Sequence, residues 1–147
     1  MPGRSQNAPE IAAELMKAMT RLRARLRAES APSDMRWSWS QLTTLSRLVT
    51  DGPATSTDLA QAEHVRRQSM AETIAALRAD GLVDVLPDPA DGRKILIHAT
   101  AQGQALSATI PAAREAWLET TVLGLLDPEE QETLLKAAEI MNRMADS

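Results

Sequence analysis

Apolar residues recur at helical spacing along most of the chain. From Pro9 onward Ile11, Leu15, Met19, Leu22 and Leu26 share one face, which predicts an amphipathic helix reaching about Glu29. A linker at Ser30-Ala-Pro-Ser-Asp34 follows. In Trp37-Ser38-Trp39-Ser40-Gln41-Leu42, Ser38 and Gln41 are spaced as a capping box and Trp37 and Leu42 as a hydrophobic staple. Leu42, Leu45, Leu48 and Val49 give the next helix its inward stripe, and Asp51-Gly52-Pro53 ends it. Thr55 and Asp58 form a second capping box before Leu59 and Ala60. A break at Glu63-His64-Val65, with Val65 packing at the turn, leads to a helix over Arg66 to Asp80. Its inward residues are Met70, Ile74 and Leu77, and Gly81 is its terminating glycine.

Beyond Gly81 the pattern changes. Two short apolar runs, Leu82 to Leu86 and Ile95 to Ala99, flank a loop dense in Pro, Asp and Gly, as in a β-hairpin. A helix, a tight turn, a crossing helix and a two-stranded ribbon make a winged helix-turn-helix. Thr100 caps a further helix carrying Leu106, Ile110, Ala113 and Trp117, with a kink expected at Pro111. Asp127-Pro128-Glu129-Glu130 opens the last helix, whose apolar face is Leu134, Leu135, Ala138, Met141 and Met144.

The expected fold is therefore mainly α with a small β-hairpin wing, an α+β arrangement. Residues 1–8 form a disordered start and residues 35–100 a winged helix-turn-helix lobe that binds DNA. Residues 9–34 and 101–147 form a helical dimerisation region. The first helix and the last two each have an apolar face to bury outside the compact lobe, which suggests a two-fold homodimer, with packing inside one chain as the alternative.

Composition narrows the chemistry. The chain of 147 residues has no cysteine and two histidines, His64 and His98, which excludes thiol chemistry and leaves little for a metal, so neither metal nor cofactor is expected. No apolar run approaches the length of a membrane span, which fits a cytoplasmic protein without a membrane partner. With no Phe or Tyr it lacks the stacking platforms used on single strands. The net charge of −4 is unevenly placed: residues 1–52 carry 8 basic and 5 acidic side chains, 53–103 carry 5 and 7, and 104–147 carry 3 and 8. A duplex-DNA binder needs positive charge only on the surface that meets DNA.

The candidates for that surface are local. Arg66, Arg67, Gln68 and Ser69 lie together at the start of the second helix of the pair, and they are the side-chain types that suit base edges and phosphates. Arginine at a helix N-terminus opposes the macrodipole, so helix stability alone does not select it. Thr73 continues the set along the helix. At the hairpin tip Arg93 and Lys94 are candidate groove contacts, with Asp91 as a brace for the tip. The arginines at 21, 23, 25 and 27 fan around the first helix and read as a solvated face. Two other function classes stand beside DNA binding. One is a winged-helix module for protein–protein contact, favoured by the acidic total. The other is an enzyme, disfavoured by the lack of a glycine-rich phosphate loop and of a histidine-centred acid–base set.

The segments Asp58-Leu-Ala, His64-Val-Arg-Arg-Gln-Ser-Met70, Leu77-Arg-Ala-Asp-Gly-Leu-Val83, Asp88-Pro-Ala-Asp-Gly-Arg-Lys94 and Ala99-Thr-Ala-Gln-Gly103 together resemble the MarR family of transcriptional regulators, over roughly residues 35–145. The resemblance implies an obligate homodimer on palindromic double-stranded DNA, many members being repressors released by small ligands. It implies a recognition helix in the major groove, Arg93 in the minor groove, Thr55 and Ser56 near the DNA backbone, and Gln68 and Ser69 on the reading face. Arg66 stands where members often have a serine-type cap, so the start of that helix is expected to differ. Without cysteine or a histidine set, the effector implied is a small apolar or aromatic molecule. Met16, Met19, Trp37 and Trp39 are candidate pocket liners, Trp117 joins them by type, and plain core or dimer interface is the simpler role for each.

Overall fold

A computed structural model describes residues 7–147, and there the chain forms two compact units. The disordered start expected for residues 1–8 lies outside the described residues except for Asn7 and Ala8, and Ala8 already opens the first helix. The described residues form six helices and one antiparallel hairpin.

One unit is Ala31–Pro111. It contains α2 (Trp39–Asp51), α3 (Ser56–Ala62), α4 (Arg67–Ala79), β1 (Val83–Pro87), β2 (Ile95–Ala99) and the first part of α5 (Ala101–Leu125). The reciprocal capping box at α2 is present: Gln41 N donates to Ser38 Oγ at 3.1 Å and Ser38 N to Gln41 Oε1 at 3.0 Å. At α3 only half of the expected box forms. Thr55 Oγ1 accepts from Asp58 N at 3.1 Å, but the aspartate, one methylene shorter than glutamate, does not return the bond.

Both helices of the turn end in the same way. Leu82 N donates to Leu77 O and Gly81 N to Arg78 O, the Schellman pattern, with Gly81 at φ +73°. In α3 the paired bonds are Val65 N to Ala60 O and His64 N to Gln61 O, with His64 at φ +54° where a glycine is usual. Val65 does not pack at the turn; it is 44% exposed. In this motif it should cover the residue aligned with Ala60, whose small side chain is already buried at 3% and offers little surface. Val49 is also exposed, at 40%. The buried face of α2 leans toward Thr44 instead, whose hydroxyl donates to Glu63 Oε2 at 2.7 Å.

The core of this unit gathers Trp37, Leu42, Leu45, Leu48, Leu59, Met70, Leu77, Leu82, Val83, Ile97 and Ile110. Each such side chain contributes about 1.5–3 kcal/mol on burial. β1 and β2 pair from Val83 opposite Ala99 to Pro87 opposite Ile95, one residue later in β1 than the apolar run suggested. A third segment joins them, because Ala54 N donates to Ile97 O at 3.1 Å and Ile97 N to Ala54 O at 2.8 Å. Thr100 Oγ1 accepts from Gly103 N at 3.1 Å, as a cap should, and donates to Gly81 O at 2.6 Å.

The other unit takes the described residues up to Ser30 together with Ala112–Ser147. It contains α1 (Ala8–Glu29), the remainder of α5 and α6 (Pro128–Ala145), the last opened by an Asp127–Glu130 capping box. Arg114 Nε donates to the buried Ser30 Oγ at 3.0 Å, and the Arg25 guanidinium lies 5.6 Å from the Trp117 ring centre. Neither α1 nor α6 has a buried residue, so Ile11, Met16, Leu134, Leu135, Ile140 and Met144 are exposed. No helix among the described residues is long and apolar enough to cross a membrane.

Candidate nucleic-acid interface

The helix pair α3–α4 and the hairpin present most of the basic side chains of the first unit. Arg66 is not the first helical residue, as the sequence suggested, but the N-cap of α4, with extended backbone at φ −70°, ψ 149°. Its side chain makes no capping hydrogen bond, because a guanidinium can only donate. The first N–H groups of α4 therefore have no side-chain acceptor, and they point outward from an exposed helix start. Arg66, Arg67, Gln68 and Ser69 are all exposed, while Met70 on the opposite side is 2% exposed. Among the described residues neither Arg66 nor Arg67 has an ion-pair partner within 4 Å. Unsatisfied N–H groups and guanidiniums side by side are groups whose chemistry suits an anion.

The hairpin tip is ordered by its own polar groups. Asp88 Oδ1 accepts from Ala90 N at 2.8 Å, Asp91 Oδ1 from Arg93 N at 3.1 Å, and Asp91 O from Lys94 N at 3.0 Å. The Asp91 carboxylate also lies 3.9 Å from Arg93 Nε, yet the Arg93 side chain is 97% exposed. An ion pair this exposed adds little stability, so the bracing comes from the backbone contacts. Arg93 projects from a fixed base, with Lys94 exposed beside it.

The remaining candidates are less open. Thr55 is half-buried and its hydroxyl serves as the cap of α3. Ser56 and Thr73 are half-buried as well. Ser56 belongs to an open groove between α4 and the hairpin, lined also by Ile74, Arg78, Val85 and Ile97. None of the candidate pocket liners contributes to that groove. Trp37 is 8% exposed and its indole N–H is held by Asp80, Trp39 packs against the same core, and Met16 and Met19 are exposed on α1 in the other unit. No cluster of three or more potential metal ligands occurs among the described residues.

Two features of the surface had no signal in the linear pattern. The Ala54 bridge is a single pair of hydrogen bonds, too short to leave a strand pattern. The Trp37–Asp80 bond joins positions 43 residues apart.

Comparison with known proteins agrees with this geometry. A sequence model of the MarR family matches residues 37–95. An uncharacterised HTH-type transcriptional regulator of Mycobacterium bovis is 36% identical over 136 residues, covering 92% of this chain and 93% of the relative. A crystal structure of a putative transcriptional regulator from Pseudomonas aeruginosa superposes with a TM-score of 0.81 at 27% identity, over 97% of this chain and 99% of that one. Bordetella bronchiseptica BpsR, whose structure concerns the regulation of its DNA binding by 6-hydroxynicotinic acid, matches with a TM-score of 0.54 at 25% identity, over 88% and 98%. The relatives are regulators of transcription, not enzymes. With its mainly helical winged fold and these relatives, the chain belongs to the MarR family of transcriptional regulators.

Proposed function

We propose that this chain is a homodimeric, sequence-specific binder of double-stranded DNA that acts in the cytoplasm as a repressor and is released by a small apolar or aromatic effector. The observation that carries the reading is the start of α4, where exposed Arg66, Arg67, Gln68 and Ser69 surround N–H groups that no side chain caps. Helix stability opposes that choice of residues, whereas a polyanion favours it. In this reading Arg66 and the α4 N–H groups meet phosphates and orient the lobe, while Arg67, Gln68, Ser69 and Thr73 read base edges in the major groove. Arg93 and Lys94 reach the neighbouring minor groove, and Thr55 and Ser56 place the start of α3 near the backbone.

The dimer reading is supported by the exposed apolar side chains of α1 and α6, which a second copy would cover. A two-fold dimer requires a palindromic operator. The effector reading is supported by BpsR, a relative whose DNA binding is regulated by a small aromatic acid.

The decisive experiment is binding to a labelled duplex from the protein's own promoter region, at two salt concentrations and against unrelated competitor duplex. Competitor-resistant binding with two chains per site is expected. Weak, salt-erased binding together with capture of a protein partner would replace this reading with a winged-helix module for protein contact.

A further inference from the structure

Trp37 is a core residue with one polar atom, and that atom is committed. Its indole Nε1 donates to Asp80 Oδ2 at 2.7 Å. The Arg36 guanidinium lies 5.3 Å from the Trp37 ring centre and is itself 3.1 Å from Asp34. Asp80 is the C-cap of α4. A carboxylate there faces the negative end of the helix dipole, so the stability of α4 does not favour it. The same arrangement recurs at α3, whose C-cap Glu63 accepts from the buried Thr44 hydroxyl at 2.7 Å. Both helices of the turn thus end in a carboxylate held from α2: Thr44 lies within that helix, and Trp37 directly precedes its N-cap.

We infer that Trp37 and Asp80 are positioning residues for DNA reading, fixing the tilt of α4 against α2. The inference rests on the DNA-binding function proposed above. The clamp holds one end of α4 and the reading residues occupy the other, about 18 Å away at 1.5 Å per residue. Met70 and Leu77 seat the middle of α4 in the core, so a tilt of about 12° about that middle, which displaces the clamped end, moves the reading end by about 2 Å the other way. Hydrogen bonds to base edges do not survive such a shift. Contacts from flexible arginine side chains to phosphates do, because they need charge more than alignment. The clamp therefore governs discrimination between sequences, not attraction to DNA in general. Glu63 and Thr44 hold α3 separately, so release of Asp80 changes the angle between the two helices of the turn.

The test uses the full chain with Asp80→Ala, Asp80→Asn and Trp37→Phe, titrated onto the tightest duplex selected by the unaltered protein and onto an unrelated duplex. Asp80→Ala and Trp37→Phe are each expected to lose about tenfold in affinity for the selected duplex, the scale of one mismatched base pair. Affinity for the unrelated duplex should stay the same. Asp80→Asn, which keeps an acceptor oxygen, should retain most of the discrimination, and Asp80→Ala/Trp37→Phe should be no worse than either single change. In the NMR spectrum the indole N–H resonance that vanishes in Trp37→Phe should move upfield in Asp80→Ala. If Asp80→Ala is too unstable to assay, Trp37→Phe decides, since it keeps an aromatic ring in the core. Unchanged discrimination in the clamp variants overturns the inference, as does an equal loss on both duplexes. If the unaltered protein prefers no duplex while the indole resonance still responds to Asp80→Ala, the DNA-binding function itself has failed and the positioning role falls with it.

Discussion

Gly103 and Leu82 meet backbone to backbone: a β-carbon on Gly103 would collide with the Leu82 carbonyl oxygen and press on Leu45 Cδ1 at 3.1 Å. The same carbonyl accepts from Thr100 N at 3.0 Å, so the start of α5 is bonded directly onto the residue that precedes β1. The Thr100-Ala-Gln-Gly103 segment is thus a docking element that requires a bare backbone at its fourth position. Gly103→Ala is expected to lower stability by about 2–3 kcal/mol through overpacking. Urea unfolding should show this as an earlier midpoint at an unchanged slope.

His64 holds a left-handed conformation in the turn between α3 and α4. A β-branched residue tolerates that region poorly, so His64→Val should cost about 1–2 kcal/mol. His64→Gly, which adopts it freely, should fall within about 1 kcal/mol of the unaltered protein. Thermal unfolding of the two variants side by side checks the ordering, and equal melting temperatures would contradict a strained turn.

Thr44 is 1% exposed and its hydroxyl can donate one proton; the 2.7 Å contact to Glu63 Oε2 is shorter than the 3.2 Å contact to Ser40 O. Thr44→Val keeps the shape and removes the donor, leaving the half-buried carboxylate without it. A loss of about 1–3 kcal/mol is expected in chemical denaturation. Thr44→Ser, which keeps the hydroxyl, should recover part of it.

Much of this architecture was legible in the sequence, because short-range chemistry encodes it. Ser38 with Gln41 and Asp127 with Glu130 lie three residues apart and form the capping boxes their spacing indicates. Gly81 ends α4 as a glycine in that context should. The exposed start of α4 was readable for the same reason, since Met70 and Leu77 define the inward face and the residues before them fall outside it. The errors arose where a residue's surroundings are set by distant parts of the chain or where a side chain falls short of its local partner. Val49 and Val65 have the right spacing, but their neighbours leave them 40% and 44% exposed. Asp58 has the right position for a capping box with too short a side chain. The core role of Trp37 was legible as a staple, but the partner of its indole N–H, 43 residues away, was not.

Arg93→Ala should weaken DNA binding and lower the slope of log affinity against log salt by about 1, as expected for one lost phosphate-region contact. Its side chain is almost fully solvated, so the melting temperature should not change. Gln68→Ala should instead cost roughly tenfold at one base pair of the preferred duplex and leave the salt slope alone. Exchange of these two signatures would reverse the roles assigned to hairpin and helix.

Leu134 and Leu135 are exposed on α6. If a second chain covers them, Leu134→Glu or Leu135→Glu should shift sedimentation equilibrium toward single chains at dilute concentration, because an unpaired carboxylate is costly in an apolar contact. Sedimentation identical to that of the unaltered protein would place the dimer contact elsewhere.

The paired hydrogen bonds between Ala54 and Ile97 tie the residue before the N-cap of α3 to the second strand of the hairpin. Substitutions at exposed positions on α4 leave these two bonds in place, and with them the hold of the Ala54 segment on the hairpin that carries Arg93. On the proposed DNA-binding function, a lineage of such proteins would drift to new target sequences one side chain at a time and keep the same stride along the duplex.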